Sequence, residues 1–386
     1  MRVALVVPGF LTSATDPFVP CWRHLAEDLG RHGEVTVFPL RRPAASAAPY
    51  VVAGARVIPL GAGDPPRHLS AGLWRRGWAA MAAAHRQHKF DVVHALSAGE
   101  AGWVAAVGAR RLNVPLVVHI GGGELVGLPD VAYGSATVLT ERLQVAVSLA
   151  AADVVTAGCQ QSAAWARRHP ARRWRGRVRL APFGVDLERF RPGPWPTGAC
   201  IVHVGDMNPV KDQATLLLAV AKVFDSEPQG VLHWVGGGRL WPRLATQAQR
   251  LGIADRIRWW GRVPHEAIHF AYRRGGTYVQ SSRHEAQGVA VCEAAAAGLP
   301  IAATGVGLAR DLPLQGVHRA PVADAEALAA AILAALDSRT REGARWALRR
   351  YARAHLGRDT ATRAVLAAYR GAGVAVPGQG AVAEGS

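Results

Sequence analysis

The chain has 386 residues, half of them hydrophobic and 19% charged, which is typical of a folded protein with room for two domains. Its four cysteines are scattered without a C-x-x-C spacing, which argues against a disulfide framework or structural zinc and fits a cytoplasmic protein. No apolar run reaches the roughly 18 residues of a membrane span, and the apolar start predicts a buried strand rather than a signal peptide.

The formal charge of +17 makes nucleic acid, an anionic membrane surface or an acidic substrate candidate partners. Lysine occurs only at positions 89, 211 and 222, and this arginine skew is also typical of compositional bias in a GC-rich genome. No basic run is interleaved with aromatic residues, so we expect no nucleic-acid partner. The arginines within Arg75–Arg86 and Arg167–Arg177 could draw the chain to anionic lipid on the inner face of the membrane.

Strands and helices alternate along residues 1–180. Continuous apolar runs, typical of strands covered on both faces, predict strands at Val3–Val7, Val35–Phe38, Asp91–Ala95, Pro115–His119 and Val154–Ala157, with a further strand within Val51–Pro59. Helical patterns lie between them, at Trp22–Gly30, Leu73–His88, Gly102–Leu112 and Ala136–Ala151. This spacing is typical of βαβ units and predicts a Rossmann-like domain with a doubly wound parallel sheet.

Four prolines mark a linker over 181–198, and the alternation then resumes. Strands are predicted at Ile201–Val204, Val231–Val235, Ile257–Trp260, Thr277–Val279 and Ile301–Ala303, and helices at Gln213–Phe224, Arg239–Leu251, Val289–Ala297 and Ala325–Leu336. A second Rossmann-like α/β domain over 199–355 follows, facing the first across a cleft. We expect a helix over 356–370 to return to the first domain, and the glycine-rich tail 371–386 to be mobile.

Ligand-type residues follow the strands of the second half, where open α/β sheets bind their ligands near helix N-termini. Gly205 and the rare Lys211 lie between a strand and a helix, which suits a phosphate, although surface lysines are common at helix starts. The next strand is followed by a turn that either admits a ligand close to the backbone or is an ordinary connection: Gly236, Gly237, Gly238 and Arg239. Thr304–Leu308 is a further glycine-rich turn at the same edge, of a kind that is more often a plain turn.

The segment after Thr277–Val279 is the most informative. Glu285 lies in a loop, and Gly288 opens a helix whose first amides can hold an anionic diphosphate. Glu293 lies about one and a half turns into that helix, where a carboxylate can accept hydrogen bonds from the diol of a ribose or hexose. Unpaired buried carboxylates are costly, which favours a function for both glutamates over two solvated side chains.

At these positions the sequence resembles a family 4 glycosyltransferase of the two-Rossmann-domain (GT-B) type, bacterial branch, over nearly the whole chain. The resemblance rests on five segments: Pro182–Asp186, Gly205–Lys211, Val235–Gly238, Gly261–Val263 and the pair Glu285 and Glu293. It implies a retaining transferase that moves a hexose from a nucleotide-diphosphate sugar to an acceptor hydroxyl on a glycan or lipid-linked acceptor, as in polysaccharide biosynthesis. It also implies no cofactor and no essential metal, because cationic side chains and helix N-termini take the ion's place.

The resemblance further implies roles in the donor site. Lys211 would contact the diphosphate, Glu285 would hold the transferred sugar near its anomeric carbon, and Glu293 would bind the ribose hydroxyls. Amides around Gly288 and Val289 would meet the phosphates, and the backbone near Val263 would meet the base.

One departure from the family concerns the donor phosphates. The family usually has an arginine where this chain has Asp206, an anion beside the expected diphosphate. Either Arg239, Arg283 or His284 supplies the second cation, or phosphate binding is weaker.

Other departures fall on the acceptor side. Asp16-Pro17 stands where most members have two glycines in the first loop. The usual histidine after the fourth strand aligns with Gly121, which has Gly122 and Glu124 beside it. His119 either replaces that histidine in catalysis or is a satisfied strand-end histidine.

Two other functions remain compatible with this pattern. One is a different enzyme on the same fold, such as a nucleotide-sugar epimerase or a phosphorylase-like protein. A phosphorylase would need a lysine-anchored cofactor, and the scarcity of lysine argues against it. The other is a non-catalytic protein that binds polyanions through its net positive charge.

Overall fold

Two mainly parallel sheets organise the chain, and the computed structural model describes residues 1–13, 16, 18–41, 48–60, 70–172 and 177–376. The strands of the first sheet are β1 Arg2–Val7, β2 Glu34–Pro39, β3 Tyr50–Val52, β4 Ala55–Val57, β5 Val92–Ala95, β6 Leu116–Ile120, β7 Val154–Ala157 and β8 Arg177–Leu180. Their order is β3-β4-β2-β1-β5-β6-β7-β8, and only β3 and β4 pair antiparallel. The accompanying helices are α1 Pro20–Gly30, α2 Ser70–Gln87, α3 Glu100–Leu112, α4 Leu139–Ala151 and α5 Gln160–Arg168.

The second sheet is parallel throughout. Its strands are β9 Cys200–Val204, β10 Val231–Val235, β11 Ile257–Gly261, β12 Thr277–Gln280, β13 Ile301–Thr304 and β14 Val317–Ala320, in the order β11-β10-β9-β12-β13-β14. The helices that follow in the chain are α6 Gln213–Ser226, α7 Trp241–Arg250, α8 His265–Tyr272, α9 Val289–Ala296, α10 Ala325–Leu336, α11 Arg341–His355 and α12 Arg358–Gly371. The predicted fold class, two doubly wound α/β domains, is confirmed.

The first strand shows why continuous apolar runs become strands here. Every residue from Val3 to Val7 is buried. Val3 and Leu5 pack into the core beneath α1 and α12, whereas Ala4 and Val6 pack into the core beneath α2 and α3. Successive side chains of a strand point to opposite faces, so a sheet covered on both faces needs an unbroken apolar run.

The last helix, α12, packs against the first domain. Val365, Leu366 and Tyr369 join the core of the first sheet. The Tyr369 hydroxyl shares a 2.9 Å hydrogen bond with Nδ1 of His94, and both side chains are buried. The chain therefore crosses between the domains twice, once after β8 and once before α12.

The structure departs from the sequence prediction in several elements. The single strand expected within Val51–Pro59 is a pair of short strands, because Ala53 and Gly54 have positive φ (54° and 70°) and close a two-residue hairpin turn. The elements β8, β14, α5 and α8 were not predicted, since their short segments mix charged and apolar residues without a long period.

Within the tail predicted from residue 371, Val374 is buried in the first domain's core. Residues 377–386 of that tail, Pro17, and positions 173–176 of the arginine-rich segment lie outside the described residues. Within the described ranges, no helix combines the length and apolar character that crossing a membrane requires.

Candidate functional site

A cavity of about 550 Å³ opens between the two domains. The start of α1 and the loop after β6 form its wall on one side, and the loops after β9, β10, β11 and β12 form the other with the start of α9. These are carboxyl ends of parallel strands, where open α/β sheets bind their ligands. Most predicted site residues line it: His119, Gly121, Gly122, Gly205, Lys211, Gly236, Val263, His284, Glu285, Gly288, Val289 and Glu293.

Lys211 and Glu285 meet as an ion pair in the cavity wall. The Lys211 Nζ lies 2.5 Å from Glu285 Oε1, and the Ser282 hydroxyl donates to the same oxygen at 2.7 Å. Ser281 Oγ donates to the backbone carbonyl of Lys211 at 2.8 Å, which ties the two loops together. The side chains of Lys211 and Glu285 are 25% and 11% exposed, so both charged groups lie in a largely buried part of the cavity wall.

The start of α9 faces the same cavity. Gly288 has φ 87°, a left-handed conformation that glycine adopts without strain, and it turns the chain sharply into the helix. Gly288, Val289 and Ala290 all line the cavity. The first turn of a helix presents backbone N–H groups without intrahelical partners and the positive end of the helix dipole, so this wall suits an anion.

Glu293 is held by two side chains of α8. His265 Nε2 lies 2.6 Å from Glu293 Oε1, and the Tyr272 hydroxyl donates to Oε2 at 3.0 Å. Glu293 is 4% exposed, yet it lines the cavity. An ionised carboxylate has about four acceptor positions, which leaves capacity for ligand hydroxyls. Sequence analysis missed both partners, although His265 follows closely on the Gly261–Val263 motif.

His119 lies at the end of β6 and faces the cavity from the first domain. Its Nδ1 shares a 3.0 Å hydrogen bond with Thr156 Oγ1, and no described residue partners its Nε2. Burial lowers the pKa of His119 to about 4, so the ring is neutral at pH 7. A neutral imidazole with one ring nitrogen left over can exchange a hydrogen bond with a ligand.

The loop after β6 is shaped by Glu124. Its carboxylate accepts hydrogen bonds from the amides of Gly121 (3.1 Å) and Gly122 (2.6 Å). The side chain of Glu124 lines not the main cavity but an adjoining one of about 420 Å³, to which Gly121 and Gly122 also contribute. The structure thus gives Glu124 a loop-shaping contact that the sequence did not indicate.

The glycines after β10 allow close packing of neighbouring loops. A Cβ on Gly236 (φ 132°) would lie 2.0 Å from the carbonyl oxygen of Gly205, and one on Gly238 would lie 2.4 Å from that of Met207. Gly237 does not line the cavity. Contact between loops is therefore sufficient to explain the requirement for glycine at 236 and 238.

The three candidates for a second cation lie in different places. Arg239 is exposed and outside the cavity lining. Arg283 is also outside it and pairs with Asp130 of the first domain at 2.6 Å. His284 lines the cavity, but burial lowers its pKa, and its Nε2 lies 3.2 Å from the Gly122 carbonyl oxygen.

The loop that carries Glu285 also contacts the first domain through its neighbours. His284 stacks on Trp165 with ring centroids 5.7 Å apart. The carbonyl oxygen of Ala286 accepts a 2.9 Å hydrogen bond from the Ser162 hydroxyl, and the side chain of Gln287 pairs with Phe183. The position of Glu285 therefore depends on the placement of both domains.

Two protein families match the chain. The family described as "Glycosyl transferase 4-like domain" matches residues 19–184, and "Glycosyl transferases group 1" matches residues 198–338. D-inositol 3-phosphate glycosyltransferase of Streptomyces avermitilis is 33% identical over 248 residues, which cover 58% of this chain and 53% of that protein. The D-inositol 3-phosphate glycosyltransferase of Geodermatophilus obscurus is 31% identical over 285 residues, which cover 67% of this chain and 62% of that protein. The chain thus matches about half to three fifths of the length of these relatives.

Solved structures share the fold. Sucrose-phosphate synthase from Thermosynechococcus elongatus superposes with a TM-score of 0.78 at 22% identity, over 96% of this chain and 98% of that one. HepE of Anabaena, solved in complex with UDP and glucose, superposes with a TM-score of 0.72 at 17% identity, over 95% of this chain and 98% of that one. The solved structures show that the fold is of the GT-B type, and the two family matches show that the chain belongs to the family 4 glycosyltransferases.

Proposed function

We propose that this protein transfers a hexose from a nucleotide-diphosphate sugar to an acceptor hydroxyl with retention of the anomeric configuration. The observation that carries the proposal is the convergence of Lys211, Glu285, Glu293 and the start of α9 on one interdomain cavity. The names of the relatives agree with a glycosyltransferase, and HepE, solved with UDP-glucose, makes UDP-sugars the first donors to test.

In this proposal the donor lies along the second domain. Its diphosphate meets Lys211 and the amides at Gly288 and Val289, and its ribose meets Glu293. As the bond to the diphosphate breaks, negative charge grows on the phosphates and positive charge grows at the anomeric carbon. Lys211 beside the phosphates and the Glu285 carboxylate beside the anomeric carbon therefore stabilise the transition state more than the ground state.

The acceptor would enter from the first domain, where His119, Gly121 and Gly122 face the donor site and the adjoining cavity opens. Retention follows if the acceptor hydroxyl attacks the face that the diphosphate leaves and gives its proton to the departing diphosphate oxygen. The proposal includes transfer without a metal ion, because side-chain cations and a helix N-terminus offer the positive charge that a divalent ion supplies elsewhere. Activity should accordingly survive EDTA.

The test is a thermal-shift panel of UDP-, GDP- and ADP-sugars, followed by transfer assays with the donor that binds. A ligand that binds only the native state raises the melting temperature. We expect at least one nucleotide sugar to stabilise the protein, and NMR of the product to show the donor's anomeric configuration. A flat panel would contradict the donor site, and an inverted product would contradict retention.

We also propose that the first domain touches anionic membranes peripherally, from the cytoplasmic side. Helix α4 exposes Leu139, Leu143 and Val147 at 67%, 59% and 39%, one turn apart, with the exposed Arg142 beside them. Apolar side chains flanked by arginine suit a negatively charged lipid interface. The short turn Pro170–Arg172, which follows Arg167 and Arg168 in the chain, packs against the same helix.

Co-sedimentation with phosphatidylglycerol vesicles tests this membrane contact. We expect binding that falls with added salt and falls in Leu139→Ser/Leu143→Ser. The control is Leu314→Ser, a 78%-exposed leucine of the second domain. Equal binding to neutral phosphatidylcholine vesicles, or no loss in the double variant, would contradict the contact.

A further inference from the structure

The loops after three neighbouring strands of the second sheet are stacked by backbone hydrogen bonds. The Gly205 amide, after β9, donates to the Val235 carbonyl oxygen at 3.0 Å. The Gly236 amide, after β10, donates to the Gly261 carbonyl oxygen at 2.9 Å, at the end of β11. The residues that follow each contact are thereby brought to one edge of the cavity.

Arg262 uses this stacking to reach Asp206. Its Nη2 lies 3.2 Å from Asp206 Oδ1 and 3.5 Å from the carbonyl oxygen of Gly237. The side chain passes over Gly237, where a Cβ would lie only 3.1 Å from Arg262 Cγ. Both charged side chains line the cavity, and they are 62% and 58% exposed, so a ligand can reach either.

Among the described residues that line the cavity, Lys211 is the one lysine and Arg262 the one arginine. Each is paired with a carboxylate of the same cavity, Lys211 with Glu285 and Arg262 with Asp206. Arg262 lines the cavity and is more than half exposed, so it is better placed to contact a phosphate than Arg239 or Arg283, which lie outside the lining.

We propose that Arg262 supplies the second positive charge to the donor diphosphate and so replaces, from the loop after β11, the arginine whose place Asp206 occupies. This inference rests on the proposed donor site. A guanidinium presents two parallel N–H donors that match phosphate oxygens. Asp206 orients Arg262 while the cavity is empty and repels the diphosphate when it arrives, so the two residues act on affinity in opposite directions.

The experiment is a calorimetric titration of wild-type protein and four variants. The probes are inorganic pyrophosphate, UDP, GDP, ADP and the matching free nucleosides. The variants are Arg262→Ala, Asp206→Asn, the double variant Arg262→Ala/Asp206→Arg, and Arg239→Ala as the matched control from an exposed position outside the lining. Melting temperatures verify folding, which should be unaffected because the first two side chains are more than half exposed.

We expect Arg262→Ala to weaken pyrophosphate and the nucleoside diphosphate by about tenfold each and to leave nucleoside binding unchanged, since charge-assisted contacts contribute in this range. Asp206→Asn should tighten both anions by a few fold, and the double variant should recover most of the lost affinity. Arg239→Ala should bind as the wild type does. The loss in Arg262→Ala should shrink as salt is added.

Three results would overturn the role of Arg262 and leave the donor site standing. The first is wild-type pyrophosphate affinity in Arg262→Ala, and the second is a loss confined to the nucleosides, which would place Arg262 at the base. The third is a loss in Asp206→Asn equal to that in Arg262→Ala, which would make the ion pair a structural contact. If the wild type bound neither pyrophosphate nor any of the nucleoside diphosphates, the proposed function would be overturned as well.

Discussion

Gln287 and Phe183 exchange two hydrogen bonds across the domain boundary. The Phe183 amide donates to Gln287 Oε1 at 2.8 Å, and Gln287 Nε2 donates to the Phe183 carbonyl oxygen at 3.0 Å. Gly158 makes room for this pairing, because a Cβ there would lie 2.5 Å from Gln287 Oε1. Gln287 follows Glu285 by two residues, so the pairing fixes the loop of the proposed active site against the chain segment that leaves the first domain.

We therefore predict that Gln287→Ala lowers kcat by about tenfold and changes the KM for the donor little, because Glu285 loses its placement while the phosphate contacts remain. Two buried backbone groups also lose partners, which costs about 1–3 kcal/mol of stability. Steady-state kinetics and chemical denaturation measure both effects. The exposed Gln249→Ala on α7 is the control. An unchanged kcat in Gln287→Ala would contradict the positioning role.

The ion pair between Lys211 and Glu285 gives a second prediction, because its partners have different roles. Lys211→Ala should weaken binding of the nucleoside diphosphate about tenfold or more, because it removes a phosphate contact and leaves the Glu285 carboxylate without its ion-pair partner. Glu285→Gln keeps the shape and the hydrogen bond from Ser282, so it should retain donor affinity and lose most turnover.

Calorimetry and transfer assays separate these two effects. Lys222→Ala serves as the control for loss of a lysine, because Lys222 pairs with Glu326 and does not line the cavity. Wild-type turnover in Glu285→Gln would rule out a direct role for its charge.

Burial of His119 yields a prediction about pH. Its pKa is lowered from about 6.5 in the unfolded chain to about 4 in the folded protein. Below pH 6.5 the unfolded chain binds a proton that the native state does not, so stability is lost as pH falls from 6.5 towards 4. The shift corresponds to roughly 3 kcal/mol at the lower end of this window.

His119→Gln should therefore flatten the fall in unfolding free energy between pH 6.5 and 4, as measured by denaturation at a series of pH values. His203, whose pKa burial also lowers to about 4, remains in this variant and still contributes to the slope. A slope identical to that of the wild type would show that His119 is protonated in the folded protein at these pH values.

Arg358 at the start of α12 leads to a prediction about domain stability. Its Nε and Nη2 contact the two carboxylate oxygens of Asp28 at 3.0 and 2.6 Å, and the side chains are 19% and 5% exposed. Without Arg358, the buried Asp28 carboxylate keeps an ion pair with the exposed Arg31 at 3.1 Å. Because that exposed partner compensates the buried charge only in part, Arg358→Ala should cost up to about 3 kcal/mol. The control is Arg363→Ala, on an exposed position of the same helix. Equal melting temperatures of the two variants would contradict a stabilising role for the ion pair between Arg358 and Asp28.

The sequence predicts best the features that are periodic and local. The run Val3–Val7 differs by one residue from β1, and the helix expected at Val289–Ala297 differs by one from α9. The glutamates of the site could be found because a strand end and a helix start lie close to them in the chain. Contacts between distant segments leave no such pattern. The reach of Arg262 to Asp206 depends on three stacked loops, and the contact of His284 with Gly122 depends on the arrangement of two domains.

The return of α12 has a consequence for the order of folding. The core of the second domain is complete at Leu356, whereas the core of the first still needs Val365, Leu366 and Tyr369. During synthesis the domain that emerges first from the ribosome is therefore the last to be finished. Its sheet must wait, with one face covered by α1 but not yet by α12, until a helix encoded nearly two hundred residues later than its final strand leaves the exit tunnel.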